Sequence, residues 1–160
     1  MFNITLIAIG KLKEKFYLSA AAEYEKRLKG YCQFNLIELP EVRLPDNPSP
    51  AEISAALEKE ADTIIEKIPK GAWFCTLTPE GKMLSSEELA EKMRTVKLSS
   101  KNSVCFLIGS SFGMAKRLKE MADFRLSMSP MTFPHHLARV MVLEQIYRAE
   151  AIQAGSKYHK

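Results

Sequence analysis

The pattern of apolar and polar positions divides this chain into ten segments of two kinds. Short runs rich in Ile, Leu, Val and Phe predict buried strands, whereas apolar residues recurring every three or four positions predict amphipathic helices. The predicted strands are residues 3–9, 33–39, 72–78, 103–108 and 124–128. The predicted helices are residues 14–29, 51–67, 85–96, 113–122 and 135–153. Strands and helices therefore alternate along the chain.

This alternation predicts an α/β fold with a mostly parallel sheet and helices on both faces, because parallel strands need crossover connections. The 160 residues suit a single domain, residues 1–160, with one sizeable core. In open α/β sheets, ligands bind beyond the carboxyl ends of the strands. The loops after Leu77, Ile108 and Leu126 are therefore the expected ligand site.

Local signals mark the ends of several elements. Prolines 40, 45, 48 and 50 predict a stiff connector before the second helix, and Ser85 with Glu88 forms the pattern of a capping box. Gly81-Lys82 predicts a turn after the third strand.

The last predicted helix is apolar almost all round. Its apolar residues are Leu137, Ala138, Val140, Met141, Val142, Leu143, Ile146 and Tyr147. A helix without a polar face is buried on all sides, so in a chain this small we expect it to contact a second subunit.

Composition narrows the class of protein. Hydrophobic residues make up 46% and charged residues 26% of the chain, and no apolar run approaches the ~20 residues that span a bilayer. The N-terminus lacks a basic region before its apolar residues, which favours a first strand over a signal peptide. Cys32, Cys75 and Cys105 are widely spaced and form no metal-binding or redox motif. We therefore expect a cytoplasmic protein with reduced thiols, no membrane segment and no metal.

Charge is unevenly distributed along the chain. Residues 38–67 hold three basic and eight acidic residues, whereas residues 92–160 hold twelve basic and four acidic residues. A basic half suits a polyanionic partner such as nucleic acid, although runs of charge are more often simply solvated faces.

Two of the three expected ligand loops have distinctive composition. Gly109 and Gly113 would let backbone approach a ligand, but a strand-to-helix turn explains a glycine pair equally well. The segment 127–134 combines small hydroxyls, apolar side chains and two prolines, a mixture that suits an adenine edge. The alternative is a plain connecting loop in which Pro134 starts the last helix.

Seven motifs in consistent order carry a family resemblance. They are Gly10-Lys11-Leu12-Lys13, Glu23-Tyr24-x-x-Arg27, Thr76-Leu77 with Gly81-Lys82, Ile108-Gly109-x-x-x-Gly113, Leu126-Ser127-x-Ser129-x-Met131-Thr132-Phe133-Pro134-His135, Glu144-Gln145-x-Tyr147-Arg148-Ala149 and Tyr158-His159-Lys160. In this pattern the chain resembles the bacterial ribosomal RNA large subunit methyltransferase H family of SPOUT methyltransferases.

The resemblance implies a C-terminal deep trefoil knot, a homodimer and the cofactor S-adenosyl-L-methionine. It also implies methylation of N3 of pseudouridine 1915, in the family's rRNA numbering, in the helix 69 loop of 23S rRNA on assembled ribosomes. The implied cofactor-binding residues are Leu77, Gly109, Met128, Ser129, Pro130, Met131, Thr132 and Phe133. The family commonly has Gly-Gly after the fourth strand, whereas Ser110 follows Gly109 here, which puts the local contact to the ligand in question.

Three residues near the C-terminus are the implied catalytic group. His159 is the best candidate for the base that removes the N3 proton, because histidine titrates near neutral pH. Arg148 would stabilise charge on the uracil oxygens, or alternatively form an ion pair with Glu144. Tyr158 would stack on the target base, although a terminal aromatic residue is often disordered.

His135 is the rival base, and its alternative role is to cap or orient the start of the last helix. Lys11, Lys13, Lys15 and Arg139 are expected to contribute to the RNA-binding surface.

Two other classes of protein remain open at this point. A noncatalytic RNA-binding module on the same scaffold would use the basic half of the chain and not the cofactor loop. A flavodoxin-like or receiver-like domain also alternates strands and helices, but it would carry acidic residues where Gly10-Lys11 follows the first strand.

Overall fold

The computed structural model describes residues 1–160 and contains five strands and five helices in alternation. The strands are β1 (Asn3–Ile9), β2 (Gln33–Leu39), β3 (Ala72–Met83), β4 (Ser103–Ile108) and β5 (Phe124–Ser127). The helices are α1 (Lys15–Leu28), α2 (Pro50–Lys67), α3 (Ser86–Lys97), α4 (Lys116–Met121) and α5 (His135–Gln153). Each predicted element is confirmed, and only β3 and α4 differ appreciably from the predicted bounds.

The five strands form one sheet in the order β2-β1-β4-β3-β5, and each neighbouring pair is parallel. The prediction of a mostly parallel sheet is therefore confirmed. All six residues of β4 are buried at the centre of the sheet. A parallel strand covered on both faces is expected to be continuously apolar, which is why this segment lacks alternation.

Helices cover both faces of the sheet, as predicted. Val104 and Phe106 of β4 belong to a core shared with α1, α3 and α5. Cys105 and Leu107 point the other way, into a smaller core shared with α2 and α4. Because successive strand residues face opposite sides, one short strand supplies both cores.

β3 is longer than predicted because it pairs with β5 in two stretches. Leu77 and Lys82 both pair with Leu126, so β3 bulges between them and then resumes. The predicted turn at Gly81-Lys82 is wrong: a Cβ on Gly81 would lie 2.6 Å from the Arg125 carbonyl oxygen. This glycine permits close contact between two backbones within a strand. The trefoil knot stays a prediction.

The capping box at the start of α3 is confirmed. The hydroxyl of Ser85 accepts from the backbone N–H of Glu88, and the Glu88 carboxylate accepts from the backbone N–H of Ser85. This arrangement fixes the start of α3 next to β3.

α5 packs between α1 and α3 and buries eight of its 19 residues. Part of its apolar surface nevertheless stays accessible in a single chain, since Leu137 is 37% exposed. On α1, Phe16 and Leu18 are exposed as well. The predicted contact of α5 with a second subunit stays a prediction. The helices lack the combination of length and apolar character needed to cross a membrane.

Arg139 is the largest fully buried side chain and joins α5 to the ends of two strands. Its Nη1 donates to Glu38 Oε2 of β2 at 2.5 Å, and its Nη2 donates to the Gly10 carbonyl oxygen after β1 at 2.9 Å. Arg139 is only 1% exposed, so the prediction that it contributes to an RNA-binding surface is wrong. Its role is to hold the loop after β1 against α5.

We expect Arg139→Met to lower the free energy of unfolding by about 2–4 kcal/mol, because it leaves Glu38 without its partner and frees the Gly10 carbonyl. Urea denaturation measures this change. As a control, Arg94→Met removes the exposed pair with Glu91 and should cost less than about 1 kcal/mol. Equal losses in the two variants would show that the buried pair does not anchor α5.

Candidate functional site

A cavity of about 750 Å³ lies at the carboxyl ends of β4 and β5 and at the bulge of β3. It is bordered by the loops that follow these strands and by the start of α5. This volume falls in the ~300–1,000 Å³ range of small-molecule sites. The position agrees with the edge of the sheet predicted from the strand order.

Most of the predicted cofactor-binding residues meet in this cavity. Those that line it are Leu77, Gly109, Met128, Ser129, Met131, Thr132 and Phe133. Pro130 does not line it and is exposed to solvent. The structure thus gathers seven residues from three separate loops, while their binding role stays a prediction.

The loop after β4 closes as a tight turn. The Ser110 N–H donates to the Gly113 carbonyl oxygen at 3.0 Å, and the Gly113 N–H donates to the Ser110 carbonyl oxygen at 2.9 Å. A Cβ on Gly109 would overlap the Gly113 carbonyl oxygen, and Gly113 itself has φ of +93°. Both positions therefore require glycine, for two different reasons. Because this turn extends to Gly113, α4 starts at Lys116 and not at the predicted residue 113.

Ser110 fits where the family commonly has a second glycine. Its φ lies outside the left-handed region, and its hydroxyl lies 3.4 Å from the Gly113 carbonyl oxygen. The residue is 7% exposed. The serine therefore stabilises the turn and does not strain it.

Hydroxyl groups organise the loop after β5. The Ser127 hydroxyl donates to the Ser129 carbonyl oxygen at 3.2 Å, and the Ser129 hydroxyl accepts from the Met131 N–H at 3.0 Å. Local bonds of this kind hold a loop without regular structure. Met131 is 71% exposed at the rim of the cavity.

A second, mostly apolar cavity of about 330 Å³ adjoins the first. Leu77, Met128 and Val142 line both cavities and therefore separate them. The second cavity extends towards Ser86 at the start of α3 and Gln145 of α5, whose side chains are hydrogen-bonded at 2.7 Å. Sequence patterns gave no indication of this compartment, because it forms between two helices distant along the chain.

The three predicted catalytic residues lie together. Arg148 Nη1 is 3.0 Å from His159 Nδ1, and the Arg148 guanidinium carbon is 4.7 Å from the centre of the Tyr158 ring. Glu144 accepts from both Arg148 Nε at 2.8 Å and the Tyr158 hydroxyl at 3.2 Å. His159 Nε2 reaches Glu87 Oε1 of α3 at 2.6 Å. The C-terminal segment is thus ordered against α5, and the Arg148–Glu144 pair considered from the sequence is present.

None of these three residues lines either cavity of its own chain. The sequence therefore identified two separate groups, a cavity and a C-terminal cluster. Within a single chain the structure does not join them.

The protonation states in the C-terminal cluster follow from its contacts. Burial, and then the carboxylate of Glu144, raise the pKa of Tyr158 to about 12, so the phenol stays neutral. The hydrogen bond that Arg148 donates to Glu144 raises the pKa of Arg148, which stays a cation. Arg148 donates to His159 Nδ1, so in the neutral ring Nε2 carries the proton and donates to Glu87.

His135 borders the cavity directly. Burial, followed by the neighbouring His136, lowers its pKa, which favours a neutral imidazole. The N-cap of α5 is Pro134 and makes no side-chain capping bond. His135 is therefore the histidine that borders the cavity of its own chain.

The remaining groups of interest are the cysteine thiols and the three lysines between β1 and the start of α1. All three cysteines are free and buried, and no group of three or more His, Cys, Asp or Glu is placed to hold a metal ion. Lys11, Lys13 and Lys15 are exposed. Their contact with RNA stays a prediction.

The sequence analysis missed several residues of the cavity, among them the polar residues Thr78 and Lys119. Thr78 follows Leu77 at the bulge of β3, where the strand order already predicted a ligand site. Lys119 is on α4 and gave no local signal, because it reaches the cavity only through the packing of α4 against the sheet.

Comparison with known proteins supports a common family. The family model described as "Predicted SPOUT methyltransferase" matches residues 2–159. The chain is 44% identical over 158 residues to ribosomal RNA large subunit methyltransferase H of Alkaliphilus oremlandii, covering 99% of each chain. It is 45% identical to the protein of the same name from Clostridium novyi, again covering 99% of each.

Solved structures show the same fold at low identity. A structure described as "Probable Methyltransferase from Bordetella pertussis Tohama I" aligns with a TM-score of 0.57 at 18% identity, covering 92% of this chain and 93% of that one. A methylase family protein from Haemophilus influenzae Rd KW20 aligns with a TM-score of 0.54 at 15% identity, covering 98% of this chain and 70% of that one.

We expect Gly109→Ala to lower the free energy of unfolding by about 1–3 kcal/mol, because the added methyl group forces the Ser110–Gly113 turn to move. Chemical denaturation measures the change. Gly30→Ala is the matched control: its Cβ would lie 3.6 Å from the nearest carbonyl oxygen, an ordinary contact, so stability should change by less than about 0.5 kcal/mol. A neutral effect of Gly109→Ala would contradict the described turn.

Proposed function

Because this chain belongs to the SPOUT methyltransferases and to their ribosomal RNA large subunit methyltransferase H family, we propose that it uses S-adenosylmethionine to methylate N3 of a pseudouridine in 23S rRNA. The family's position 1915 in the helix 69 loop, on assembled ribosomes, is the proposed target. The observation that carries the proposal is the cavity at the ends of β4 and β5 and at the bulge of β3. It collects the three loops that the resemblance implicated.

The residues present fit this cofactor. Gly109 borders the cavity with main chain alone, because the Gly113 carbonyl oxygen fills the space that a side chain would take. Leu77, Met128 and Phe133 supply apolar contacts for a purine ring, and Ser129 and Thr132 supply hydroxyls for polar edges. When bound, the cofactor supplies an electrophilic methyl group on a sulfonium.

The protein's task is to align the target nitrogen with the methyl group, exclude water and accept the N3 proton. In the proposal, His159 takes that proton, Arg148 stabilises negative charge on the uracil oxygens and Tyr158 stacks on the base. His159 Nδ1 now accepts from Arg148. This bond must open so that Nδ1 can accept the proton, and Arg148 is then free to turn towards the uracil.

The separation of the C-terminal cluster from the cavity bears on how many chains form the site. The cluster lines neither cavity of its own chain, yet the reaction needs base and cofactor side by side. We infer that two subunits associate and that the C-terminal segment of one completes the cavity of the other. The exposed apolar residues Phe16, Leu18 and Leu137 support association through α1 and α5.

The reaction is tested by incubating the protein with labelled S-adenosylmethionine and ribosomes from a strain that lacks this gene. We expect N3-methylpseudouridine in digested 23S rRNA by mass spectrometry, at a single position. Free 23S rRNA serves as the control for the need for assembled ribosomes. Cofactor binding without transfer would indicate another RNA target, and absence of cofactor binding would favour a noncatalytic RNA-binding module.

The role of the C-terminal segment is tested with His159→Gln. We expect transfer to fall by about 100-fold or more, as for loss of a general base, while the Kd for S-adenosylmethionine stays unchanged because His159 acts on the target base and lines neither cavity of its own chain. The control is Lys157→Gln at an exposed position of the same segment, which should alter neither quantity. If the His159→Gln variant keeps its methyl-transfer activity, His159 is not the base and His135 becomes the candidate.

Mixed dimers test whether two chains share the site. Thr132→Trp should fill the cavity from an exposed loop position and abolish cofactor binding, which calorimetry verifies first. When the Thr132→Trp and His159→Gln chains are co-expressed at equal levels, we expect about a quarter of wild-type activity. Half of the dimers then contain one chain of each kind, and each of these dimers has one intact site. No recovery would show that each site is built within one chain.

A further inference from the structure

Two threonines of β3 carry hydroxyl groups that are buried without a hydrogen-bond partner. Thr76 is 0% exposed and Thr78 is 4% exposed, and Oγ1 of each lacks any partner. A buried hydroxyl without a partner destabilises the folded protein relative to a methyl group of the same shape. Such a group in a native structure calls for a physical reason.

The two threonines differ in their surroundings. Thr76 lies within the sheet, in register with Leu107 of β4 and Arg125 of β5, and lines neither of the two cavities. Thr78 lies two residues further on, where β3 bulges, and lines the large cavity. Only Thr78 is therefore placed to satisfy its hydroxyl with a bound ligand.

The same side of the cavity carries a positive charge. Lys119 is the only Lys or Arg that lines it. Its Nζ lies 2.5 Å from Oε1 of Glu80, which is two residues beyond Thr78 on β3. The ion pair thus holds Lys119 next to the bulge of β3, where Thr78 lies. An ammonium group has three N–H donors, so Lys119 can keep Glu80 and bind a second anionic oxygen.

We propose that Thr78 Oγ1 and Lys119 Nζ bind the carboxylate of the methionine part of S-adenosylmethionine. This assignment rests on the proposed function and specifies which end of the cofactor lies against β3. The carboxylate accepts from the Thr78 hydroxyl and from Lys119. Because Thr78 Oγ1 is shielded in the chain alone, this contact requires a change of its χ1 rotamer. The purine then lies towards the apolar side formed by Leu77 and Met128.

Two related ligands separate the two ends of the cofactor. S-adenosylhomocysteine keeps the amino-acid carboxylate, whereas 5′-methylthioadenosine keeps the nucleoside and lacks the amino-acid part. Calorimetry gives the Kd of each ligand for the wild-type chain and for Thr78→Val, Thr76→Val and Lys119→Gln. Valine matches the shape of threonine and removes only the hydroxyl.

We expect Thr78→Val to weaken binding of S-adenosylhomocysteine about tenfold or more, the effect of losing a hydrogen bond to a charged group. Lys119→Gln should weaken it similarly, and neither variant should alter binding of 5′-methylthioadenosine. Thr76→Val is the matched control and should bind both ligands like the wild type. Both valine variants should unfold at the same temperature as the wild type or higher, which excludes misfolding as the cause.

Three outcomes would overturn the assignment. Unchanged binding of S-adenosylhomocysteine by Thr78→Val would show that its hydroxyl does not touch the ligand. Equal weakening of both ligands would place the hydroxyl at the nucleoside. Failure of the wild-type chain to bind either ligand would instead contradict the proposed function, and this inference with it.

Discussion

Burial of β4 on both faces is the constraint on which the rest of the structure depends. Its side chains are divided between two cores, so helices must cover each face of the sheet. Parallel neighbours on both sides then need long crossovers, and each crossover leaves the sheet at the same edge. The cavity forms at that edge because the loops have no other place to converge.

Close contact between backbones shapes the site within this frame. At Gly81 and Gly109 a Cβ would meet the main chain of a neighbouring segment, so these glycines set how near the loops approach one another. Glycine is not required at position 110, because the Ser110 side chain fits inside the turn that Gly109 and Gly113 make possible. The loop after β4 is therefore held by its own backbone bonds and the loop after β5 by serine hydroxyls, so contacts within the chain shape the cavity.

The C-terminal segment forms a cluster of side chains that is separate from the cavity. Glu144, Arg148 and Tyr158 hold one another, and His159 is tied to α3 through Glu87. This cluster and the cavity are therefore separate within a single chain. The buried Arg139 holds the first turns of α5 against the ends of β1 and β2.

The sequence by itself determined the order and type of the ten elements, the parallel sheet and the edge at which the cavity forms, because these follow from local periodicity and from the need for crossovers. Its motifs also identified Leu77, Gly109 and the loop after β5, which are close to a common cavity. Only the tertiary structure decided that β3 resumes after a bulge, that Arg139 is buried, that Thr78 and Lys119 border the cavity, and that His159 lies outside it. These features depend on contacts between segments far apart along the chain, and no local pattern of apolar and polar residues records which distant backbone or charge a side chain will meet.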